Sequence, residues 1–233
     1  LLSNNNKQII NVGLDNKEFD MQRVLLPILL AASAASQANL VVNGSFEDPS
    51  ITTSSWGIYT LPGWSSSTGK IELRNNVAGT ASDGLNFVEL DDYNNNTIWQ
   101  TFGALTAGQQ YQLSFDHMLR PGTSASTNGI EAFWLSSATA LTNIPAAFSF
   151  ASVVANLPGS AQTYSWQTFS TAVTAGNYNY LGFRATGTSD SYGSSLDNVK
   201  LLAPVTEPET YALMGLGLLG LMAARRKKLA LNA

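Results

Sequence analysis

The chain has 233 residues, no cysteine and a formal net charge of −4 at pH 7. Without cysteine, a disulfide-stapled fold and thiolate metal sites are excluded, and the acidic balance argues against nucleic acid as a partner. The charges are unevenly placed, because residues 39–204 hold 11 acidic and 5 basic residues whereas four basic residues stand together near the C-terminus. The sequence therefore divides into a front segment, a central domain and a tail.

The front segment has the pattern of a secretory signal peptide. Met21 opens a stretch with one basic residue, Arg23, an apolar run over 24–35 and small residues before Ala38. This order is typical of export signals, and we expect residues 21–38 to be a signal peptide that is cleaved after Ala38. Residues 1–20 are polar and rich in asparagine, and we expect them to be a non-native or disordered upstream extension. The alternative is a genuine polar extension before an internal signal anchor.

The central domain, residues 39–204, is predicted to be all-β. Short runs of alternating apolar and polar residues recur between turn residues, and Gln110–Asp116 is the clearest of them. No stretch of the domain shows helical periodicity, so helices are expected only at the two ends of the chain. About nine or ten strands in about 165 residues fit a two-sheet antiparallel sandwich. The predicted strands are 40–42, 70–73, 86–90, 97–102, 110–116, 130–135, 148–154, 165–171, 178–185 and 195–202.

Landmarks at the two ends of the domain identify a family resemblance. The sequence NGSFE stands at residues 43–47 and LDNV at residues 196–199. Their order resembles the galactose-binding-like jelly roll of carbohydrate-binding modules of the family 4/9 and 22 type and of the DUF642 group. The resemblance implies a structural calcium ion held by Glu47 and Asp197, with Asp48 and Asp83 as weaker candidate ligands. The alternative is that Glu47 and Asp197 only hydrogen-bond turn backbone.

Aromatic residues in polar surroundings are the candidate sugar contacts. Tyr93 lies in DDYNNN and Tyr192 in SDSYGSS, and Trp134 is the third candidate. Loops on a rigid sandwich are where binding residues concentrate, and an exposed ring offers a face on which a sugar stacks. Trp56 and Tyr59 are further candidates for exposed positions. Three tryptophans at strand starts are expected to pack in the core: Trp64, Trp99 and Trp166.

The domain carries no evident catalytic set. The single histidine, His117, follows Asp116, but no G-x-S-x-G nucleophile turn is present. Glu89, Asp91 and Asp92 are clustered in sequence, but adjacent residues on a strand point to opposite faces. We therefore expect a domain that is not an enzyme, with His117 in a structural role.

The tail, residues 205–228, combines an apolar run with a basic cluster. The run covers residues 211–224 and is followed by Arg225, Arg226, Lys227 and Lys228. As a helix the run would extend about 21 Å, which is shorter than the ~30 Å hydrocarbon core of a bilayer. Clustered basic residues beside a membrane segment mark the cytoplasmic side. The tail is therefore predicted to be a single short transmembrane helix with the domain outside; a buried or amphipathic terminal helix is the alternative.

The order of parts in the tail resembles the PEP-CTERM sorting signal of Gram-negative bacteria. Glu207 and Pro208 match the Glu-Pro of that motif, whereas Thr206 stands where the family has its first proline. The resemblance implies an exosortase-type enzyme as partner, cleavage near residues 207–210 and loss of the span. The destination would be the cell surface or an exopolysaccharide matrix. We expect a structural or adhesive protein that contacts surface polysaccharide; the alternative is a carbohydrate-binding module for one specific glycan.

Overall fold

The computed structural model describes residues 37–103, 105–149, 152–204 and 208–231. Residues 37–204 belong to one compact unit, and the C-terminal helix belongs to another. The predicted extension at 1–20 and nearly all of the predicted signal peptide at 21–38 lie outside the described residues. Both sheets and both hydrophobic clusters described below are built within 37–204, so this segment is a folding unit of its own.

The described residues form eleven strands in two sheets, and every strand pair is antiparallel. The strands are β1 (Ser55–Tyr59), β2 (Ser65–Ser66), β3 (Ile71–Asn75), β4 (Asn86–Glu89), β5 (Thr97–Phe102), β6 (Gln110–Met118), β7 (Gly129–Ser137), β8 (Val153–Pro158), β9 (Gln167–Thr174), β10 (Tyr178–Ala185) and β11 (Ser195–Leu202). The six-stranded sheet has the order β1-β3-β4-β11-β6-β9, and the five-stranded sheet has the order β2-β5-β10-β7-β8.

Strands that are distant in sequence lie side by side. β11 inserts between β4 and β6, and β10 inserts between β5 and β7. The last strand of the domain is therefore held on both sides by strands formed about 80 to 110 residues earlier. The predicted two-sheet antiparallel sandwich of jelly-roll type is confirmed.

One hydrophobic cluster joins the inner faces of the two sheets. Phe115 on β6 meets Phe183 on β10 edge to face, with ring centroids 4.9 Å apart, and Leu113 is fully buried beside them. This is the face that the alternation in Gln110–Asp116 predicted. Burying each such side chain contributes about 1.5–3 kcal/mol, and a domain without disulfides depends on this contribution.

A second cluster covers the outer face of the five-stranded sheet. A short helix, α1 (Ile144–Ala147), starts at Asn143, whose side chain accepts a hydrogen bond from Ala146 N. Phe148 follows the helix and packs on Phe133 at 5.2 Å between centroids. A Cβ atom at Gly182 would collide with the Phe148 ring, so glycine is required there.

This helix corrects two predictions. The strand expected at 148–154 begins only at Val153, and the expectation of no helix within the domain is wrong. The helix has four residues, which is about one turn, so no helical period was present to detect.

Other differences lie near the start of the domain. The strand predicted at 40–42 is reduced to a bridge between Asn39 and Leu202. The Asn39 side chain replaces the ladder, because its Oδ1 accepts from Val41 N and Leu201 N while its Nδ2 donates to Val199 O. β1 and β2 were not predicted, since their sequences show no clean alternation.

The tail forms α2 (Pro208–Leu231). Pro208 stands at its first position, where a proline costs no helical hydrogen bond. The predicted apolar run at 211–224 lies within this helix. Within the described ranges, no helix has the length and apolarity that crossing a membrane requires.

Candidate functional site

The loops that carry Tyr93 and Tyr192 are bonded to each other. The first, the 91–96 loop, links β4 to β5, and the second, the 186–194 loop, links β10 to β11. Hydrogen bonds between the two loops fix their relative position. Asp91 Oδ2 accepts from Asp190 N and Ser191 N at 3.0 and 3.2 Å, and Asn95 donates from its N to Ser189 Oγ and from its Nδ2 to Gly187 O at 3.0 Å each.

Both tyrosines present their rings to solvent. Tyr93 is 66% exposed and Tyr192 is 45% exposed. The Arg120 guanidinium lies 4.3 Å from the centroid of the Tyr192 ring, a cation–π contact that orients this ring. The structure therefore brings two of the three predicted sugar contacts onto one pair of joined loops.

The expectation of an exposed Trp134 is wrong. Trp134 is only 6% exposed, packs on Phe102, and donates its Nε1–H to Thr174 O at 2.8 Å. Its neighbour Phe133 faces the outer cluster under α1. Because both faces of β7 are buried, alternation did not distinguish the inner face from the outer one.

Of the other aromatic residues, some have the predicted exposure and some do not. Trp64 is buried in the inner cluster, as expected, and Trp99 and Trp166 are half-buried. Trp56 is exposed on β1, whereas Tyr59 is half-buried against the core. Trp56 lies opposite Arg74 in the sheet register, away from the inner face.

A buried charge network lies beneath the 186–194 loop. Arg74 Nη2 contacts Glu72 Oε1 at 2.6 Å and Glu89 Oε2 at 2.7 Å, and Arg120 Nη1 contacts Glu89 Oε1 at 2.7 Å. Glu72 and Glu89 face each other across β3 and β4. This network was not predicted from the sequence. Its signal was the charged residues inside the predicted strands KIEL and NFVEL, which a buried sheet face tolerates only as ion pairs.

Glu89 connects this network to the loop of Tyr192. Its Oε1 accepts from Gly193 N at 2.8 Å as well as from Arg120, and Arg120 also donates to Ser191 O at 3.0 Å. Burial raises the pKa of Glu89 to about 7, against the opposing effect of Arg74. Arg120 thus holds the Tyr192 ring on one side and the sheet carboxylate on the other.

Glu47 and Asp197, the predicted calcium ligands, flank one turn at residues 82–86. Glu47 Oε1 accepts from Leu85 N and Asn86 N at 2.7 Å each. Asp197 Oδ2 accepts from Ser82 N and Asp83 N at 2.7 and 2.9 Å. Burial raises the pKa of Asp197 to about 7. The structure thus brings the two ends of the domain to the same turn.

The oxygen atoms around this turn are of the chemical type that calcium prefers as ligands. No group of three or more His, Cys, Asp or Glu side chains that would hold a metal occurs in the described part of the chain. Two buried amide oxygens beside the carboxylates, Asn86 Oδ1 and Asn198 Oδ1, have no hydrogen-bond partner. Calcium prefers carboxylate and amide oxygens, so the carboxylates of Glu47 and Asp197 and these amide oxygens are ligands of the kind that calcium takes. Calcium binding stays a prediction.

His117 is buried at the edge of the core. Its Nδ1 lies 3.2 Å from Gln162 Oε1, and Gln162 in turn donates to Ser194 Oγ at 2.9 Å. Burial lowers the pKa of His117. Asp116 points to the opposite face and binds the hydroxyls of Ser82 and Thr168. The surroundings of His117 are therefore those of a buried, hydrogen-bonded core residue.

Residues 204–227 match the PEP-CTERM protein-sorting motif. The predicted sorting signal is confirmed, and it indicates an exported protein that an exosortase processes. Within it, Glu207 lies outside the described residues, Pro208 starts α2, and Arg225 is exposed. The side chains of Arg226, Lys227 and Lys228 lie outside the description.

Curated relatives include two very large toxins. The multifunctional-autoprocessing repeats-in-toxin protein of Vibrio vulnificus is 28% identical over 189 residues, which cover 80% of this chain. The protein of the same name from Vibrio cholerae is 29% identical over 184 residues, which cover 77%. The chain spans about 3% of the length of either toxin, so each match concerns one small segment.

The chain is similar, at low identity, to several solved structures. TmCBM61 in complex with β-1,4-galactotriose is 12% identical, with a TM-score of 0.43, and the match covers 72% of this chain and 99% of that one. A CBM4 structure is 20% identical, with a TM-score of 0.39 and coverage of 70% and 99%. The K2 cleaved adhesin domain of Lys-gingipain is 14% identical, with a TM-score of 0.43 and coverage of 69% and 97%. These likenesses concern the fold alone.

The calcium prediction is tested by thermal unfolding of residues 37–204. EDTA is expected to lower Tm, and added calcium is expected to restore it, because the ion binds the folded state only. Glu47→Gln should abolish this response, whereas Glu131→Gln, on the other sheet, should keep it. If EDTA leaves Tm unchanged, the calcium prediction is wrong, and Glu47 and Asp197 only hydrogen-bond the backbone of the turn.

The raised pKa of Glu89 predicts a pH-dependent stability. Between pH 4.5 and about 7 the folded chain keeps a proton on Glu89 that the unfolded chain releases. The free energy of unfolding should therefore fall as pH rises through this window, by about 1–3 kcal/mol from this group. Urea titrations at pH 5, 6, 7 and 8 measure the slope.

Glu89→Gln should make the slope less steep even if it lowers stability throughout, because one titrating group is gone while Asp197, whose pKa burial also raises to about 7, remains. Glu131→Gln, which also removes an ion-paired carboxylate, is the matched control. Equal slopes in the wild type and Glu89→Gln would show that Glu89 is ionised throughout.

Proposed function

We propose that this protein is a non-catalytic adhesive protein of the cell surface or exopolysaccharide matrix of a Gram-negative bacterium. In this proposal its β-domain binds a polysaccharide through Tyr93 and Tyr192, the exposed tyrosines of the 91–96 and 186–194 loops. The sorting motif supplies the destination. Before processing, the apolar run at 211–224 engages the inner membrane and the exosortase.

The observation that carries this proposal is the pairing of two exposed aromatic rings on two mutually bonded loops. Exposed tyrosines are common on surfaces, but these two are 66% and 45% exposed on loops fixed by buried carboxylates. Binding is less costly when the contact residues are ordered in advance. A sugar ring stacks on an aromatic face, and nearby polar groups satisfy its hydroxyls.

Polar groups of the right kind surround the tyrosines. The 91–96 loop contains Asn94 and Asn95, and the 186–194 loop contains Ser189 and Asp190. Of these, Asn95 and Ser189 already bond to each other. Amide, hydroxyl and carboxylate groups are donors and acceptors that match sugar hydroxyls.

The placement of the acids supports a non-catalytic role. Glu72 and Glu89 are the paired carboxylates of the network, and both contact the same Arg74 nitrogen at 2.6 and 2.7 Å. They are 2% and 1% exposed. A hydrolytic pair must reach the scissile bond from a cleft, whereas these acids are buried and in contact with arginine.

The glycan proposal is tested on residues 37–204 with an array of bacterial and plant polysaccharides, followed by affinity electrophoresis on each positive glycan. Tyr93→Ala and Tyr192→Ala are each expected to weaken binding about 2- to 10-fold, because each removes a stacking contact worth about 0.5–1.5 kcal/mol. Thermal unfolding should change little, since both rings are exposed.

The matched control is Tyr178→Ala. Tyr178 is also exposed, but it starts β10, whereas the 186–194 loop follows the end of this strand. Binding that survives both loop substitutions, or that Tyr178→Ala weakens equally, would overturn the tyrosine site.

Sorting is tested separately by mass spectrometry of the protein from the cell surface or matrix. The mature C-terminus is expected near residues 207–210, without α2, because the exosortase removes the segment after the motif. Deleting the basic cluster, residues 225–228, should leave the unprocessed chain in the membrane fraction. A surface protein that still contains the apolar run up to residue 224 would rule out sorting by cleavage.

A further inference from the structure

The outer edge of the six-stranded sheet is formed by β9. This strand pairs with β6 over eight consecutive residue pairs, from Gln110↔Thr174 to His117↔Gln167, with no register shift. Among the described residues no strand pairs with its other side. Every second residue of an antiparallel edge strand directs its N–H and C=O away from the sheet, so β9 presents a row of donors and acceptors. At the end of this row Thr174 O already accepts from Trp134 Nε1.

The three other sheet edges are short or interrupted. β1 has five residues and β2 has two. β8 has six residues, with a register shift opposite Ala132 and Phe133, and it ends at Pro158. Short length, irregular register and proline are the devices by which natural sheets prevent edge pairing. β9, with eight residues, has none of these.

Charge does not protect β9 either. Its sequence, QTFSTAVT, has no charged residue, no glycine and no proline, and no Asp, Glu, Lys or Arg occurs between Glu131 and Arg184. Charged side chains, lysine above all, are the commonest protection of an exposed edge. An uncharged strand rich in Thr, Phe and Val also favours extended pairing.

β9 has an exposed outer face and an apolar inner face, as a strand must have if another strand is to extend the sheet. Thr168, Ser170 and Ala172 are exposed on the outer face, whereas Phe169 packs on Phe115 and Val173 is buried in the inner cluster. A strand added to this edge would therefore extend both faces without a register conflict.

We propose that β9 pairs with β9 of a second copy of this chain, antiparallel about a two-fold axis through Thr171. In this arrangement Phe169 of each copy lies opposite Val173 of the other, an aromatic–β-branched pair of the stabilising kind. On the outer face Ser170 lies opposite Ala172, and both side chains are small. The strand is thus self-complementary, which a two-fold interface requires.

A second copy fits this edge better than a charged partner strand. The uncharged strand offers no ion pair that would select a foreign segment, and self-pairing brings no like charges together. The interface is independent of the glycan proposal, because it uses neither of the tyrosine loops.

The test is analytical ultracentrifugation of residues 37–204 over a range of concentrations, from micromolar to about millimolar. The wild type is expected to show a monomer–dimer equilibrium. Ala172→Lys should raise the dimer dissociation constant about 10-fold or more, because it places a charge of each copy at the shared edge.

Gln112→Lys is the matched control. Gln112 is exposed on the same face and lies opposite Ala172, but on β6, an interior strand. It should leave the dimer unchanged. Hydrogen exchange should also show protection of the amides at 167–173 that increases with protein concentration.

Three results would overturn the proposal: a monomer at all concentrations, equal weakening by both lysine variants, or protection that does not depend on concentration. Because Ala172 is exposed, Ala172→Lys should fold normally, and an unchanged Tm at low concentration confirms this. Ser170→Lys, at the other exposed position of the pair, provides a second variant.

Discussion

Carboxylates hold the loops of this disulfide-free domain in place, and three of the four are buried. Each accepts hydrogen bonds from backbone N–H groups of a loop that is distant in sequence. A hydrogen bond to a charged group contributes about 1.5–3 kcal/mol, and loss of the acceptor leaves its donors unpaired. Four carboxylates act in this way: Glu47 on residues 85–86, Asp197 on residues 82–83, Glu89 on residue 193 and Asp91 on residues 190–191.

The same bonds organise the proposed binding surface. Glu89 and Asp91 belong to the end of β4 and the residues after it, so one short segment of chain fixes the 186–194 loop. Arg120 then joins Glu89 to the Tyr192 ring. A buried ion pair is often no more stabilising than apolar residues of the same volume. The contribution of this ion pair is to position Arg120, which in turn contacts the Tyr192 ring.

The sequence predicted elements well where only one face of a strand is buried or where the ends are marked. β10 and β11 have the predicted limits, and the alternation in β6 identified its inner face. It failed where a side chain replaces backbone pairing, as at Asn39, and where both faces are buried, as at Trp134. For the candidate site, Tyr93 and Tyr192 were predicted from their polar loops. Arg120 and Glu89 were not, because their pairing depends on strands that meet only in the folded sheet.

The open edge of β9 and the proposed sugar surface have a combined consequence. An uncharged edge is a liability in an exported chain, and closed two-fold pairing would remove it without leading to fibres. A dimer also carries two copies of the Tyr93 and Tyr192 loops. On a polysaccharide, whose repeats recur along one chain, the second contact becomes intramolecular, and avidity exceeds single-site affinity by about 10²–10⁴-fold where the geometry allows both. Weak sites built from only two rings would then suffice for adhesion to a matrix polymer.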